Sequence, residues 1–412
     1  MKALQAYRYE LDPTVKQRKA FVRHAGTARF AWNWALARRK RLLDDGEGKD
    51  RFTNAIVQHR ELNALKNSEF PWMREVSKCA PQEALRDLDK AFTAFWRGRK
   101  AARPVGFPAF KKRGRCRDGF RLTGTISTRP NAVRLPRLGE VRTKEGTGKL
   151  QGRVLSATVS READRWYVAL QVERERPDSV PVAGPVVGID LGLTSFAVLS
   201  DGSPPIDAPK PLLNSLKRLQ RASKAHSRKE KGSNNRRKSA MRLARLHRRI
   251  RNQRVDFLHK LSTKLAKTKS AIVVEDLHVR GMVRNRSLAR SISDAGWAEF
   301  RRMLAYKTTW YGSRLVVADR WFPSSKTCSS CGYVLERLLL SERQWRCPAC
   351  DVLHDRDVNA AKNLEKLATG SSPGSGARAP DACGDPSTGE ANAASRYGSL
   401  KQEPSRESGL SA

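Results

Sequence analysis

Three acidic residues that are far apart in the sequence stand next to segments of regular structure. Asp190 follows the apolar run Val186-Val-Gly-Ile, Glu275 follows Ala271-Ile-Val-Val, and Asp357 precedes the helix-forming Ala-Ala-Lys-Asn-Leu. Carboxylates at the ends of neighbouring strands converge in space, and Mg²⁺ prefers oxygen ligands. We therefore predict that Asp190, Glu275 and Asp357 are catalytic residues that hold two Mg²⁺ ions.

Such a site is suited to phosphodiester hydrolysis. Two Mg²⁺ ions about 3.5 to 4 Å apart can activate a water, neutralise the scissile phosphate and stabilise the leaving oxygen. This chemistry requires no histidine or serine nucleophile. One acid alone would be more typical of a helix cap or a surface salt bridge. Three acids together favour the metal site, because the segments around them are predicted in the order strand, hairpin, helix and strand.

Two neighbouring acids compete for these assignments. The spacing to Asn359 favours Asp357 over Asp355, and we expect Asn359 to orient the carboxylate or its water. Side chains alternate along a strand, so Asp276 is expected on the opposite face from Glu275.

Four cysteines form two Cys-x-x-Cys pairs, Cys328-Ser-Ser-Cys331 and Cys347-Pro-Ala-Cys350, with fifteen residues between them. This spacing is typical of a zinc ribbon, in which four thiolates bind one tetrahedral Zn²⁺ and leave no open position for catalysis. We predict a structural Zn²⁺ that braces the segment carrying Asp357.

The chain is strongly basic, with 81 Lys and Arg against 41 Asp and Glu and a formal net charge of +40. A polyanion such as nucleic acid would neutralise this charge, although a ribosomal-type RNA binder would also be this basic. Residues 214–269 contain twenty Lys or Arg and two acids, yet they keep a helical apolar stripe. We predict a helix broken near 232–235 whose cationic face binds phosphates rather than only solvent.

The candidate nucleic-acid contacts on this segment are Lys217, Arg218, Arg236, Arg237, Arg245, Arg248 and Arg249.

The elements that precede these residues change in character along the chain. Lys2 to Glu10 alternate as a strand does, and Asp12-Pro13 predicts a helix start. Apolar residues recur at helical spacing from 14 to 100, and strands follow, including a hairpin of 154–160 and 165–172. We predict a small β-barrel or twisted sheet that pairs with the N-terminal strand and carries the helices as an insertion.

The end of the chain and its hydropathy predict two further properties. Residues 370–412 consist of Gly, Ser, Pro and Ala with scattered charge, and they predict disorder, which leaves Cys383 without a chemical role. The sequence has neither a run of 18 apolar residues nor the pattern of a signal peptide. We expect a cytoplasmic protein of bacterial type with no membrane partner.

These motifs resemble the TnpB/OrfB family, which is related to the type V CRISPR effector nucleases. Gly188-Ile-Asp-Leu-Gly192, Val274-Glu-Asp-Leu277 and Asp355-Arg-Asp-Val-Asn-Ala-Ala361 are similar to the three RuvC motifs of that family, with the zinc ribbon before the third. Gly106-Phe-Pro-Ala-Phe-Lys-Lys112 is similar to its N-terminal half. The resemblance covers roughly residues 1–369.

The resemblance implies an α/β multidomain fold: an RNase H-like (RuvC) nuclease domain with an inserted four-cysteine zinc ribbon, and a β-barrel wedge domain carrying a helical recognition insertion. The implied divisions are wedge 1–13 and 101–180, recognition 14–100, nuclease 181–320 and 351–369, ribbon 321–350, and tail 370–412.

The resemblance also implies an RNA-guided DNA endonuclease encoded by a transposon. Such a protein would bind a guide RNA from the transposon end and cut double-stranded DNA beside a short motif, while base pairing reads the sequence.

One alternative is a guide-directed regulator that does not cut, which the intact triad disfavours. A DNA-joining transposase would need a His-x-His pair, which none of the seven histidines forms, and a junction resolvase would need neither the barrel nor the helical insertion.

Overall fold

The computed structural model describes residues 2–45, 53–101, 105–339 and 341–370. These residues divide into two compact units, 2–176 and 177–370. The predicted disorder of the tail and the prediction for Cys383 lie outside the described residues, apart from Gly370. The finer division into wedge, recognition, nuclease and ribbon segments stays a prediction.

The first unit contains a seven-stranded antiparallel sheet. Its strands are β1 (Lys2–Asp12), β2 (Gly119–Thr123), β3 (Ser127–Arg129), β4 (Ala132–Leu135), β5 (Gly139–Thr143), β6 (Arg153–Glu162) and β7 (Arg165–Glu175). They pair in the order β2-β6-β7-β1-β5-β4-β3. The predicted β6–β7 hairpin and the central pairing of the N-terminal strand are therefore present.

The sequence left open a small β-barrel or a twisted sheet. The strands β2 and β3 stand at the two ends of the pairing order, and no hydrogen-bonded ladder joins them within the described residues. The pairing order among these residues is therefore that of an open sheet, and a barrel form of the wedge domain stays a prediction.

Helices lie between β1 and β2 in the chain, as predicted. They are α1 (Val15–Asp45), α2 (Ala55–Leu65), a 3-10 helix (Pro71–Glu75) and α3 (Cys79–Lys100). Their buried side chains belong to one cluster with those of the sheet. The ring of Phe21 on α1, for example, lies 5.1 Å from that of Trp166 on β7. The helices and the sheet therefore share a single hydrophobic core.

The start of α1 differs from the prediction. Asp12 still belongs to β1, where it pairs with Arg142, so it is not the helix cap. Thr14 caps the helix instead: its hydroxyl accepts from the Gln17 N–H, and the Gln17 side chain accepts from the Thr14 N–H. This is a capping box, which satisfies two otherwise unpaired N–H groups.

The second unit contains a five-stranded mixed sheet. Its strands are β8 (Val186–Asp190), β9 (Ser195–Leu199), β10 (Ile206–Asp207), β11 (Ala271–Glu275) and β12 (Arg314–Ala318), in the order β10-β9-β8-β11-β12. β8, β11 and β12 are parallel, whereas β9 is antiparallel to both of its neighbours. The central strands are buried, as their continuous apolar runs predict.

Helices surround this sheet. They are α4 (Pro211–Ser227), α5 (Asn234–Thr268), α6 (Val279–Met282), α7 (Ala289–Ala295), α8 (Trp297–Tyr311) and α9 (Arg356–Thr369). A small ladder of β13 (Gln344–Arg346) and β14 (Leu353–Asp355) precedes α9. The predicted break in the cationic helix is confirmed, since α4 ends at Ser227 and Ser233 caps α5 by accepting from the Arg236 N–H.

Candidate active site

Asp190 and Glu275 end two neighbouring parallel strands. In the register of β8 and β11, Val274 lies opposite Ile189, and each acid is the next residue along its strand. Residues in register on parallel strands point to the same face of the sheet. The two carboxylates therefore lie side by side at the carboxyl edge of the sheet.

A glycine in β8 allows α9 to lie directly on the sheet. A Cβ at Gly188 would stand 2.0 Å from the Ala361 carbonyl oxygen and 2.5 Å from the Glu365 nitrogen. Any side chain there would push the helix away. Asp357 lies one helical turn before Ala361, and Asp190 lies two residues after Gly188, so this contact brings the third acid towards the first.

The three carboxylates are electrostatically coupled. Burial, followed by the negative charges of Glu275 and Asp357, raises the pKa of Asp190 from 3.8 to about 8, against a smaller opposing effect of Arg356 and Arg343. A half-buried carboxylate whose pKa is raised by two further carboxylates lies in an environment that favours divalent cations. The structure thus brings together all three residues that the sequence singles out.

The neighbouring acid Asp276 has other partners. It forms ion pairs with Arg301 and, at 2.7 Å, with Arg320. Although partial burial raises it, the pKa of Asp276 is lowered overall by the hydrogen bonds and charges of these two arginines. Glu275 instead accepts a hydrogen bond of 2.5 Å from the Ser324 hydroxyl. The two adjacent acids therefore face different partners, as strand alternation requires.

At the third motif, Asp355 caps α9. Its carboxylate accepts from the N–H groups of Asp357 and Val358 at 3.1 and 3.0 Å, which leaves the Asp357 side chain to face the other acids. The expectation for Asn359 is wrong. Its side chain is buried and bonds to the backbone, accepting from the Ser329 N–H at 2.8 Å and donating to the Thr327 carbonyl at 2.7 Å.

Within the described residues, the four cysteines form a group compact enough to hold one metal ion, with ligand atoms within 4.8 Å of one another. The three carboxylates do not form such a compact group in this structure.

The cysteine cluster brings Cys328, Cys331, Cys347 and Cys350 together as a potential metal site. His354 adds a partner, because its Nε2 lies 3.0 Å from the Cys328 sulfur. Although burial raises it, the pKa of Cys328 is lowered to about 5 overall by backbone N–H groups and His354. A thiolate is the form of cysteine that binds Zn²⁺.

The cysteine cluster is tied to α9 through backbone contacts. Asn363 donates to the carbonyls of Ser324 and Thr327 at 2.8 and 2.6 Å, and Lys366 donates to the carbonyl of Ser329. Together with Asn359, these side chains fix the first cysteine pair against the helix that carries Asp357. These contacts link the first cysteine pair to α9, and the bracing role of a bound Zn²⁺ stays a prediction.

The seven basic residues predicted to contact nucleic acid all lie on α4 or α5. Five of them are exposed, namely Lys217, Arg218, Arg237, Arg245 and Arg249, whereas Arg236 and Arg248 are half-buried. Arg236 donates to the carbonyls of His226 and Lys229 and so closes the turn between the helices. Its guanidinium therefore has a local structural role that the sequence did not indicate.

A groove of about 720 Å³ runs between α4 and α5. Arg218, Arg249, Lys260 and Lys264 line it, with one acid, Asp256. The excess of cations along this groove favours an anionic chain such as a phosphate backbone.

Sequence reasoning missed three residues near the carboxylates and the ribbon: Ser324, which donates to Glu275; Arg343, whose Nη1 lies 3.6 Å from Asp357 Oδ1; and His354. No local pattern marks the first two, because their contacts join distant parts of the chain. The position of His354 four residues after Cys350 was a usable signal.

Within the described residues, no helix is both long and apolar enough to cross a membrane.

Three family models match parts of the chain. A model described as "Probable transposase" matches residues 169–286, one described as "Cas12f1-like, TNB domain" matches 297–364, and one described as "Helix-turn-helix domain" matches 1–48. The first two span the three acids and four cysteines. In this chain, the described residues of the third match form β1 and the single long helix α1.

Known proteins match over nearly the whole chain. A relative from Streptomyces pristinaespiralis, named "Putative RNA-guided DNA endonuclease", is 40% identical over 98% of this chain and 96% of its own length. InsQ of Escherichia coli, which bears the same description, is 35% identical over 88% of this chain and 92% of its own.

A solved structure titled "Cryo-EM structure of the Cas12f1-sgRNA-target DNA complex" covers 88% of this chain and 99% of its own, with a TM-score of 0.51 and 12% identity. This likeness supports the fold alone. The extent and identity of the matching relatives go further: the chain belongs to the TnpB/OrfB family, as the motifs in its sequence predict.

Proposed function

We propose that this protein is an RNA-guided, Mg²⁺-dependent DNA endonuclease encoded by a transposon, which cuts target DNA beside a short adjacent motif. The observation that carries the proposal is the convergence of Asp190, Glu275 and Asp357 on one edge of the sheet in the second unit. The mixed sheet with α9 on one face supports an RNase H-like (RuvC) nuclease domain.

The proposed metal ligands are these three carboxylates. When bound there, two Mg²⁺ ions would supply Lewis acidity for the scissile phosphate and lower the pKa of an attacking water. The protein contributes orientation. Ser324 fixes one oxygen of Glu275 by a hydrogen bond, and the Asp355 cap fixes the first turn of α9, which carries Asp357.

Arg343 is the cation proposed to meet the anionic substrate at the carboxylates. Arg343 and Arg356 are close enough to lower the pKa of Asp190, and the side chain of Arg343 is largely exposed. A scissile phosphate entering beside the carboxylates would meet the Arg343 guanidinium, which suits phosphate oxygens because of its planar set of donors. Arg343 would therefore assist in positioning the phosphate.

The four cysteines are proposed to bind one structural Zn²⁺. Tetrahedral thiolate coordination suits zinc, and all four sulfur atoms lie within 4.8 Å of one another. Because Asn359, Asn363 and Lys366 join this cluster to α9, bound zinc would hold Asp357 in place. Its role is mechanical, since four thiolates leave no coordination position for substrate.

The proposed partners are a guide RNA derived from the transposon end and a double-stranded DNA target. The names of the relatives and the net charge of +40 support nucleic-acid partners. The exposed cations of α4 and α5 are the proposed phosphate contacts in the second unit.

Purification of the protein with its transposon-end RNA allows a direct test. We expect a plasmid library with a target and randomised flanks to be cut in Mg²⁺ but not in EDTA, with one flanking motif enriched among the products. Glu275→Gln should bind RNA and target normally without cutting. Binding without cleavage by the wild-type protein would instead indicate a guide-directed regulator, and random RNA content would indicate a general RNA binder.

A further inference from the structure

Trp321 is the most solvent-exposed large hydrophobic side chain among the described residues, with 85% of its surface accessible. Single exposed apolar residues are common on protein surfaces and need no explanation by themselves. Trp321 differs from such residues because its backbone is tightly fixed and because it stands beside the proposed active site.

The loop 319–324 that carries Trp321 is anchored at both ends and in the middle. Arg320 forms an ion pair of 2.7 Å with Asp276, and Ser324 donates to Glu275 at 2.5 Å. Phe322 packs against the cluster that joins β11, β12 and α9. With its neighbour turned into the core, Trp321 is directed outward.

A local turn also fixes the backbone of this loop. The Asp319 carboxylate accepts from the Trp321 N–H at 2.9 Å, and the Asp319 carbonyl accepts from the Phe322 N–H at 3.1 Å. The indole is thus presented from a preorganised backbone, which lowers the entropic cost of binding a ligand on its face.

The anchors also hold the backbone of Trp321 close to the acids at the end of β11. Glu275, the last residue of β11, and Asp276, which follows it, both bind this loop. Trp321 is three residues from Ser324, and three residues span at most about 11 Å. This upper limit corresponds to about three nucleotides along one DNA strand, at about 3.4 Å per nucleotide.

We propose that Trp321 stacks on an unpaired nucleobase of the DNA strand being cut, next to the scissile phosphate, and thereby positions that phosphate at the three carboxylates. This inference rests on the proposed function. An indole face binds any base but only when the base is unstacked, and Arg320 and Arg343 supply positive charge nearby for the backbone. Trp321 is therefore a substrate-positioning residue that favours single-stranded DNA.

Single-turnover cleavage at saturating protein tests the proposal. At saturating protein, the rate depends on the fraction of bound target whose scissile phosphate lies at the carboxylates. If the stacking energy holds the phosphate there, its loss in Trp321→Ala should lower that fraction, and therefore the rate, by about 5- to 150-fold. Trp321→Phe should restore most of the rate. Tyr333→Ala removes another exposed aromatic ring, on the cysteine cluster (43% exposed), and should cut at the wild-type rate.

An abasic scan separates stacking from a structural effect. In the wild-type protein, removal of the base at one position beside the cut should slow cleavage by a factor similar to that of Trp321→Ala. The same abasic site should not slow Trp321→Ala further, because the stacking is already absent. Unchanged melting temperature and zinc content would show that the variant is folded.

Three results bear on the inference in different ways. Wild-type cleavage with an equally fast Trp321→Ala would overturn it and leave the proposed function standing. If no abasic position slows cleavage by the wild-type enzyme, the inference is also overturned and the proposed function also stands. This test uses the wild-type protein alone and does not depend on a variant that folds. If the wild-type protein does not cut in Mg²⁺, the proposed function fails and the inference fails with it.

Discussion

Asp190→Asn should make the metal-free protein more stable while abolishing its cleavage activity. In the folded chain, burial and the charges of Glu275 and Asp357 raise the pKa of Asp190 from 3.8 to about 8. The folded state therefore holds a proton that the unfolded chain releases near pH 4. Asparagine has a similar shape and cannot ionise, so it removes this penalty.

The magnitude follows from proton linkage. Between the unfolded and folded pKa values, each pH unit lowers the stability of the wild-type protein by about 1.4 kcal/mol. The free energy of unfolding of the wild-type protein begins to fall near pH 4 and stops falling near pH 8. By pH 7 the fall amounts to at most about 4 kcal/mol. Relaxation around the carboxylates reduces this, so we expect Asp190→Asn to gain a few kcal/mol at pH 7 and nothing below pH 4.

The assay is chemical denaturation of both proteins in EDTA and in Mg²⁺ across this pH range. Mg²⁺ should stabilise the wild-type protein, because it binds the folded state, and should have little effect on Asp190→Asn. Asp276→Asn is the matched control of opposite sign, since the pKa of Asp276 is lowered in the folded chain and this variant should lose stability. An Asp190→Asn protein that is no more stable than wild type in EDTA at pH 8 would refute the reasoning.

Three further predictions concern other parts of the molecule. His354→Ala removes a hydrogen bond to Cys328 and should weaken zinc binding by about 10- to 100-fold in chelator competition; unchanged affinity would exclude this role. Asp201→Asn breaks a 2.7 Å ion pair with Lys269. Although burial raises it, the pKa of Asp201 is lowered to about 2 overall by hydrogen bonds from Lys269 and Ser203 and by the charge of Lys269. Denaturation should therefore show a loss of about 1 kcal/mol above pH 4 that shrinks as pH falls towards 2. Arg249→Ala should reduce the slope of log affinity for nucleic acid against log salt by about 1, and an unchanged slope would remove it from the phosphate contacts.

Local patterns in the sequence carried most of the information about the second unit. An apolar run that ends in an acid predicts a strand and its exposed end, and strands β8 and β11 end at Asp190 and Glu275 as that pattern requires. Alternation along β11 separated Glu275 from Asp276. The spacing of the cysteine pairs predicted their cluster, because four thiolates around one ion need two tight turns.

The features that sequence could not supply depend on contacts between distant residues. Asn359 binds the backbone thirty residues away rather than a carboxylate, and nothing near it in the chain indicates that partner. Asp12 has the local signature of a helix cap, but pairing with β5 keeps it in the strand, so Thr14 takes that role. Whether a sheet closes into a barrel likewise depends on the pairing of strand edges that are distant in the sequence. The hydrophobic periodicity of a strand does not determine its pairing partner.

We propose that three acids separated in the chain share divalent cations, and a bound metal can be located directly. Mn²⁺ substitutes for Mg²⁺ at oxygen sites, and its anomalous scattering locates it in crystals of the protein soaked or grown with the metal. We expect two manganese peaks about 3.5 to 4 Å apart, held by Asp190 together with Glu275 and Asp357, and no peaks there in Asp190→Asn. Saturating Mn²⁺ with no ion between these side chains, or ions held by other residues, would contradict the proposal.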